Sequence, residues 1–161
     1  MSDPAILQGL RNSQLSVELQ NDELEALAEQ MERHEFAQGE VVVAEGTTDS
    51  HLYVVVSGAL GVIKNLGTPQ EEKLSVVMAG GLAGELAFID GAIRYASLVA
   101  LRPTQLLGLE RSRLEELIDT HPHLVYHVMR GIVRVVHEIQ RQQSMQSAEL
   151  TNYVYKVHGR Y

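Results

Sequence analysis

Residues 84–97, GELAFIDGAIRYAS, set an arginine nine positions after a glutamate across a mostly apolar stretch. The guanidinium of Arg94 is a planar donor fork suited to phosphate. Gly80, Gly81 and Gly84 let backbone approach a ligand closely, and ELAF can form a turn of helix from near Gly84. A helix start presents unpaired N–H groups that favour an anion. Glu85 is repelled by that same anion unless it has a donor of its own, and a sugar hydroxyl is such a donor. Phosphate at Arg94, sugar at Glu85 and apolar walls for a base describe a nucleotide whose phosphate and sugar lie close together. A 3′,5′-cyclic monophosphate has that compactness.

Other chemistry is thinner. GGLAGEL is no phosphate loop of the GxxxxGK[ST] kind, since no lysine follows. His123 and His127 stand i, i+4 near His121 and could pair on a metal, but no HExxH glutamate accompanies them. A metal-dependent cupin-like barrel is the alternative they leave open; the simpler reading is a partly exposed helix end, with no metal expected. No serine sits on a nucleophile turn. With no cysteine in the chain, thiolate chemistry and disulfides are excluded. The chain therefore reads as a binding protein and not an enzyme.

The elements around residues 84–97 follow from periodicity. QNDELEALAEQMERHEF spaces Leu24, Leu27, Ala28 and Met31 as a helix, with Asn21 or Asp22 as its N-cap. From about residue 35 short β-branched segments take over: EVVVAEG, HLYVVVSG, ALGVIKNLG, KLSVVMAGG, ASLVALRP and TQLLGLE. In HLYVVVS, Leu52, Val54 and Val56 share one face, Tyr53 and Val55 the other. Such spacing signals a sandwich or barrel, with a hairpin tip near Pro69. Glu40 and Glu45, beside glycine turns, are expected to face water. RSRLEELIDTHP then reads as a short helix, and Pro122 opens a longer one. Val125, Val128, Ile132, Val135 and Ile139 step along it by three and four, with Leu124 and Met129 off the stripe. The stripe packs on the barrel or is shared with a second copy, and a homodimer through helix 122–142 is expected. The divisions are a helical segment 1–33, a barrel 34–110, two helices 111–146 and a tail 147–161 that carries Tyr153, Tyr155 and Tyr161.

Thirteen basic against 21 acidic side chains give a formal charge of −8, which makes DNA an improbable partner. No apolar run approaches a membrane span, and the N-terminus has no signal-peptide pattern. A cytoplasmic protein is expected.

Taken together, Gly84, Glu85, Leu86, Ala87, Arg94, Ala96 and Ser97 resemble the phosphate-binding cassette of the cyclic nucleotide-binding domain family. That cassette runs Gly-Glu-aliphatic-Ala, a spacer, then Arg-x-Ala-Ser/Thr. GEVVVAEG and HLYVVVSGALGVIKN resemble the family's barrel strands, and the likeness covers about residues 15–142. It implies a mainly β fold with flanking α (α+β): an eight-stranded, jelly-roll-like, cupin-like barrel with an N-terminal helix and C-terminal B and C helices. It further implies that Glu85 holds the ribose 2′-hydroxyl and Arg94 the cyclic phosphate. The N–H groups of Leu86 and Ala96 and the Ser97 hydroxyl would complete the cradle. Ile93 stands where the family often has proline, and Tyr95 where a small residue is usual. Val135, Ile139 and Gln140 are the candidates on the capping helix, where the catabolite-activator branch has hydroxyl residues. cAMP is the default ligand.

That branch carries a winged helix-turn-helix after the long helix, for which the residues remaining here are too few. The expectation is a stand-alone cAMP sensor that signals through its C-terminal helix to a separate protein. The alternative is a regulator lacking, or having lost, its DNA-binding domain.

Overall fold

A computed structural model describes residues 2–158, so Tyr161 lies outside the described residues. The N-terminal segment is three pieces rather than one helix. Helix α1, Pro4–Arg11, starts at Asp3, whose carboxylate accepts from the Ala5 N–H at 2.9 Å, with proline at the first helical position. A 3₁₀ turn, Gln14–Glu18, follows, then α2, Asn21–Ala28. The N-cap of α2 is Gln20, one residue before the expected Asn21 or Asp22. Glu23 makes this possible, because its carboxylate accepts from the Gln20 N–H at 3.3 Å. Met31 is buried beside α2 but lies beyond its end.

Among the described residues, eight antiparallel strands form two sheets. The first is ordered β1–β8–β3–β6 and the second β2–β7–β4–β5. Their ranges are β1 Glu32–Phe36, β2 Val41–Val43, β3 His51–Ser57, β4 Ala59–Lys64, β5 Glu72–Met78, β6 Leu82–Ala83, β7 Ser97–Ala100 and β8 Thr104–Glu110. The jelly-roll-like α+β fold read from the sequence is the fold observed. Strand β1 begins at Glu32, inside the segment assigned to helix. The turn between β4 and β5 contains Pro69, as expected.

Strand β3 is apolar on both faces because both are covered. Leu52 and Val54 join Leu107 and Leu109 of β8 in a core shared with the helices, including Leu10, Leu15, Leu27, Val128 and Ile132. Tyr53 and Val55 face the other way, against Leu60, Val62, Leu98 and Leu106 between the sheets. The first sheet is thus the middle layer, with helices on one side and the second sheet on the other.

After β8 come α4, Arg111–Glu115, and α5, Pro122–His158. Helix α5 continues through the position where a tail from 147 was expected. Nothing between Gly131 and Gly159 breaks a helix, and Gln, Arg, Met, Glu and Leu all favour one. Leu124, Val128, Ile132 and Val135 are buried on the body, whereas residues 137–156 are all exposed. No described helix is long and apolar enough to cross a membrane.

Candidate nucleotide cassette

Strand β6 feeds directly into Gly84, which has φ +78° and caps a six-residue helix, α3, Glu85–Asp90. Gly91, with φ +70°, ends it. The sequence needs glycine at both positions, since left-handed backbone is disfavoured for other residues. The first intrahelical bond is Phe88 N–H to Gly84 O, 3.1 Å, so the N–H groups of Leu86 and Ala87 have no intrahelical acceptor.

Arg94 returns to this helix start. Its side chain is only 4% exposed. Nη1 donates to the Gly84 carbonyl at 3.0 Å and Nη2 to the His51 carbonyl at 2.7 Å. Nε is buried and has no acceptor among the described residues. A Cβ on residue 84 would overlap the guanidinium, so glycine here serves both the turn and the close approach. The Arg94 backbone is fixed as well: its N–H donates to Thr47 O at 2.9 Å, and its carbonyl accepts from Gly46 N–H at 2.8 Å.

Glu85 belongs to the same region of space. Burial pushes its carboxyl above the usual value, partly offset by its own backbone N–H and by the Arg94 charge. Tyr95 is raised too, first by burial and then by the Glu85 charge. Glu85, Arg94 and Tyr95 therefore share one electrostatic neighbourhood, although Tyr95 is 62% exposed. Leu86 is exposed, whereas Ala87, Ala96 and Ser97 are buried. Ser97 Oγ accepts from the Glu45 N–H at 3.0 Å, which leaves its hydroxyl proton free to donate.

Glu45, expected to face water, is instead half-buried. It pairs with Lys64, whose ammonium also donates to the Tyr95 carbonyl at 2.8 Å, and it accepts from the Asn65 N–H at 3.1 Å. Glu40 is exposed as expected, and its carboxylate accepts from the Ala37 N–H at 3.0 Å.

Sequence reasoning missed Asp49. One oxygen accepts from the His51 N–H and lies 2.8 Å from the His51 ring; the other accepts from the Tyr53 hydroxyl at 2.9 Å. Burial pushes the Asp49 carboxyl up, but these donors outweigh it and hold the carboxyl below its ordinary value. Asp49 lies 3.7 Å from Arg94 Nη2. An Asp two residues before a strand signals an Asx turn; nothing in the spacing shows that the turn reaches Arg94.

The capping-helix candidates are dispersed. Val135 is buried in the helix-side core, whereas Ile139 and Gln140 are exposed. Helix α5 is tied instead to the N-terminal segment, through His127 on Glu23 and Arg130 and Arg134 on Glu18. His123 is exposed, and Nδ1 of His127 is engaged by Glu23. No group of three or more His, Cys, Asp or Glu among the described residues is placed to hold a metal ion.

Comparison with known proteins bears on the family and the fold. Residues 33–121 match the family described as the cyclic nucleotide-binding domain. The chain is 33% identical over 110 residues to a cAMP-dependent protein kinase regulatory subunit of Blastocladiella emersonii, covering 68% of this chain and 27% of that protein. It is 27% identical over 140 residues to the cyclic AMP receptor protein of Thermus thermophilus, covering 87% and 65%. Among solved structures, a cyclic nucleotide-binding domain from Methylobacillus flagellatus superposes with a TM-score of 0.77 at 26% identity, covering 88% and 80%. The chain thus spans less than two thirds of the length of those two relatives.

Proposed function

The chain belongs to the cyclic nucleotide-binding domain family, and from that premise we propose that it is a regulatory sensor that binds a 3′,5′-cyclic nucleotide, cAMP by default, at residues 84–97. One observation carries this reading: Arg94 is buried, two of its nitrogens are pinned by carbonyls, and its Nε has no acceptor among the described residues. A buried guanidinium with an unfilled donor is costly, and an anion at that edge removes the cost.

Each residue then has a task. Arg94 offers Nε and the free edge of its fork to the cyclic phosphate. Leu86 and Ala96 offer backbone N–H groups, and Ser97 donates its hydroxyl proton. Glu85 accepts from the ribose 2′-hydroxyl, which gives its partly buried carboxylate a second donor beside its own backbone N–H. Gly84 and Ala87 keep the helix start small enough for approach, and Tyr95 stands beside the sugar end. Of the capping candidates, Val135 is engaged in the core, while Ile139 and Gln140 are exposed on a helix tied to the N-terminal segment.

Binding is read out by α5, which presents an exposed face to a downstream protein or to a second copy in a homodimer through residues 122–142. A ligand achieves this only by favouring one helix arrangement over another. No chemistry is assigned to the chain beyond binding. Titration calorimetry with cAMP and with cGMP, on protein unfolded and refolded to strip any retained ligand, tests the proposal. The expected result is saturable heat with at least one nucleotide, lost in Arg94→Ala. No heat with either, from a refolded and cooperative domain, contradicts it.

A further inference from the structure

A second concave surface lies where the 3₁₀ turn meets α5, away from the residues of the cassette. It encloses about 440 Å³ and is lined chiefly by Glu18, Tyr126, Met129, Arg130, Val133 and Arg134. The floor is apolar: Met129 packs on the core, while Val133 is 60% exposed and Tyr126 is open to solvent. Val17, beside Glu18 in the chain, is exposed as well.

The walls are cationic. Arg130 Nε lies 3.1 Å from Glu18, and Arg134 meets the other oxygen of the same carboxylate. The Arg130 guanidinium also stands 5.8 Å from the centre of the Tyr126 ring. Two guanidiniums on one carboxylate leave a net positive charge, on a chain whose formal charge is −8. Exposed apolar side chains rimmed by an excess of positive charge are typical of a docking surface.

We propose that this groove docks an acidic amphipathic helix of a partner protein. Its apolar side chains lie on Tyr126 and Val133, and its carboxylates take the guanidinium edges that Glu18 leaves open. A nucleic acid would find the arginines but have no use for the apolar floor, and would meet an acidic protein. A second copy seated through this same patch would bring two further arginines to face the first pair.

The groove is also joined to the cassette. The 3₁₀ turn begins at Gln14, whose N–H donates to the Gly80 carbonyl at 2.9 Å, and Gly80–Gly81 lead through β6 to Gly84. A carboxylate that competes with Glu18 loosens a turn tied to the strand before Gly84. Docking and nucleotide binding then alter each other by the same factor. This link rests on the proposed nucleotide function; the docking does not.

The experiment uses the full chain without nucleotide. Fluorescence anisotropy follows a labelled synthetic helix with leucine on one face and glutamate on the other, beside a counterpart bearing lysine for glutamate. The acidic peptide is expected to bind saturably and more weakly as salt rises. The lysine peptide is expected not to bind. Arg134→Glu and, separately, Val133→Asp are each expected to weaken the acidic peptide about tenfold or more, with circular dichroism unchanged. Equal binding of the two peptides, no effect of either substitution, or no binding up to about 1 mM overturns the docking. So does sedimentation showing that Arg134→Glu dissociates a dimer, which would make the groove an interface between copies. Adding cAMP is expected to shift the peptide's affinity; an unchanged value in protein that demonstrably binds cAMP removes the link alone.

Discussion

Arg94 and the Arg130–Arg134 pair are the same side chain in two settings. Arg94 is 4% exposed, is held by two carbonyls and has an idle Nε. Arg130 and Arg134 are 51% and 57% exposed and share the carboxylate of Glu18. The second arrangement contributes little, because solvent serves the guanidinium donors that Glu18, itself only 11% exposed, does not reach. In the interior no solvent substitutes for a missing acceptor, so an unfilled Nε there points to a ligand. The contrast separates a buried donor left without an acceptor, although Asp49 lies 3.7 Å from the same guanidinium, from exposed donors that water satisfies.

The sharpest way to break that contrast is to alter Arg94. Arg94→Ala is expected to remove about 2–5 kcal/mol of nucleotide binding, some thirtyfold or more, by calorimetry. Arg94→Lys is expected to rescue little, since an ammonium lacks the planar fork. An affinity within threefold of wild type would show that the buried arginine is structural only.

Gly84→Ala comes next. The new methyl collides with the guanidinium and forces a left-handed backbone onto alanine. The fold is expected to lose about 1–3 kcal/mol in urea unfolding, with binding weakened beyond that. Unimpaired binding would mean that Arg94 has room to move aside.

Glu85→Gln splits stability from binding. The Glu85 carboxyl is raised by burial, so the folded state holds this proton more tightly than the unfolded one. The charged form therefore opposes folding as pH rises through the raised value, and the penalty vanishes below the unfolded value. In the nucleotide-free protein, Glu85→Gln is expected to raise the melting temperature at neutral pH, with the gain fading in acid. The same substitution is expected to weaken cAMP while leaving 2′-deoxy-cAMP nearly unchanged. Equal losses for both nucleotides would remove the ribose contact.

The smallest effect belongs to the exposed pair. Glu18→Gln is expected to cost at most about 1 kcal/mol, and less at high salt. A larger, salt-independent loss would place Arg130 and Arg134 in the same class as Arg94.

Much of the cassette was legible because its constraints are local. Gly84 and Gly91 suit left-handed backbone, ELAF can form a turn of helix, and a lone Arg94 among apolar residues asks for polar partners. Strands β3 and β4 announced themselves by β-branched residues between glycines. Strand β1 did not, because ERHEF is polar and only His34 and Phe36 turn inward; Met31 also continued the helical spacing. Strand β6, two residues long, is defined by its pairing with Tyr53 and Val54 and has no pattern of its own. The cap of α2 hid behind a glutamine that works only with Glu23. The polar run at 140–149 looked like a tail, whereas the informative sign was the lack of any helix breaker. Asp49 and the His51 carbonyl were beyond reach, because their relation to Arg94 exists only once a loop 43 residues away has folded against it.

Nitrogen-15 NMR of the arginine side chains addresses the buried guanidinium itself. On titration with cAMP, the Arg94 Nε–H resonance, assigned by its loss in Arg94→Lys, is expected to move downfield and exchange slowly with solvent, with much smaller shifts at Arg130 and Arg134. A nucleotide that binds and leaves the Arg94 Nε–H unmoved would show that its phosphate sits elsewhere.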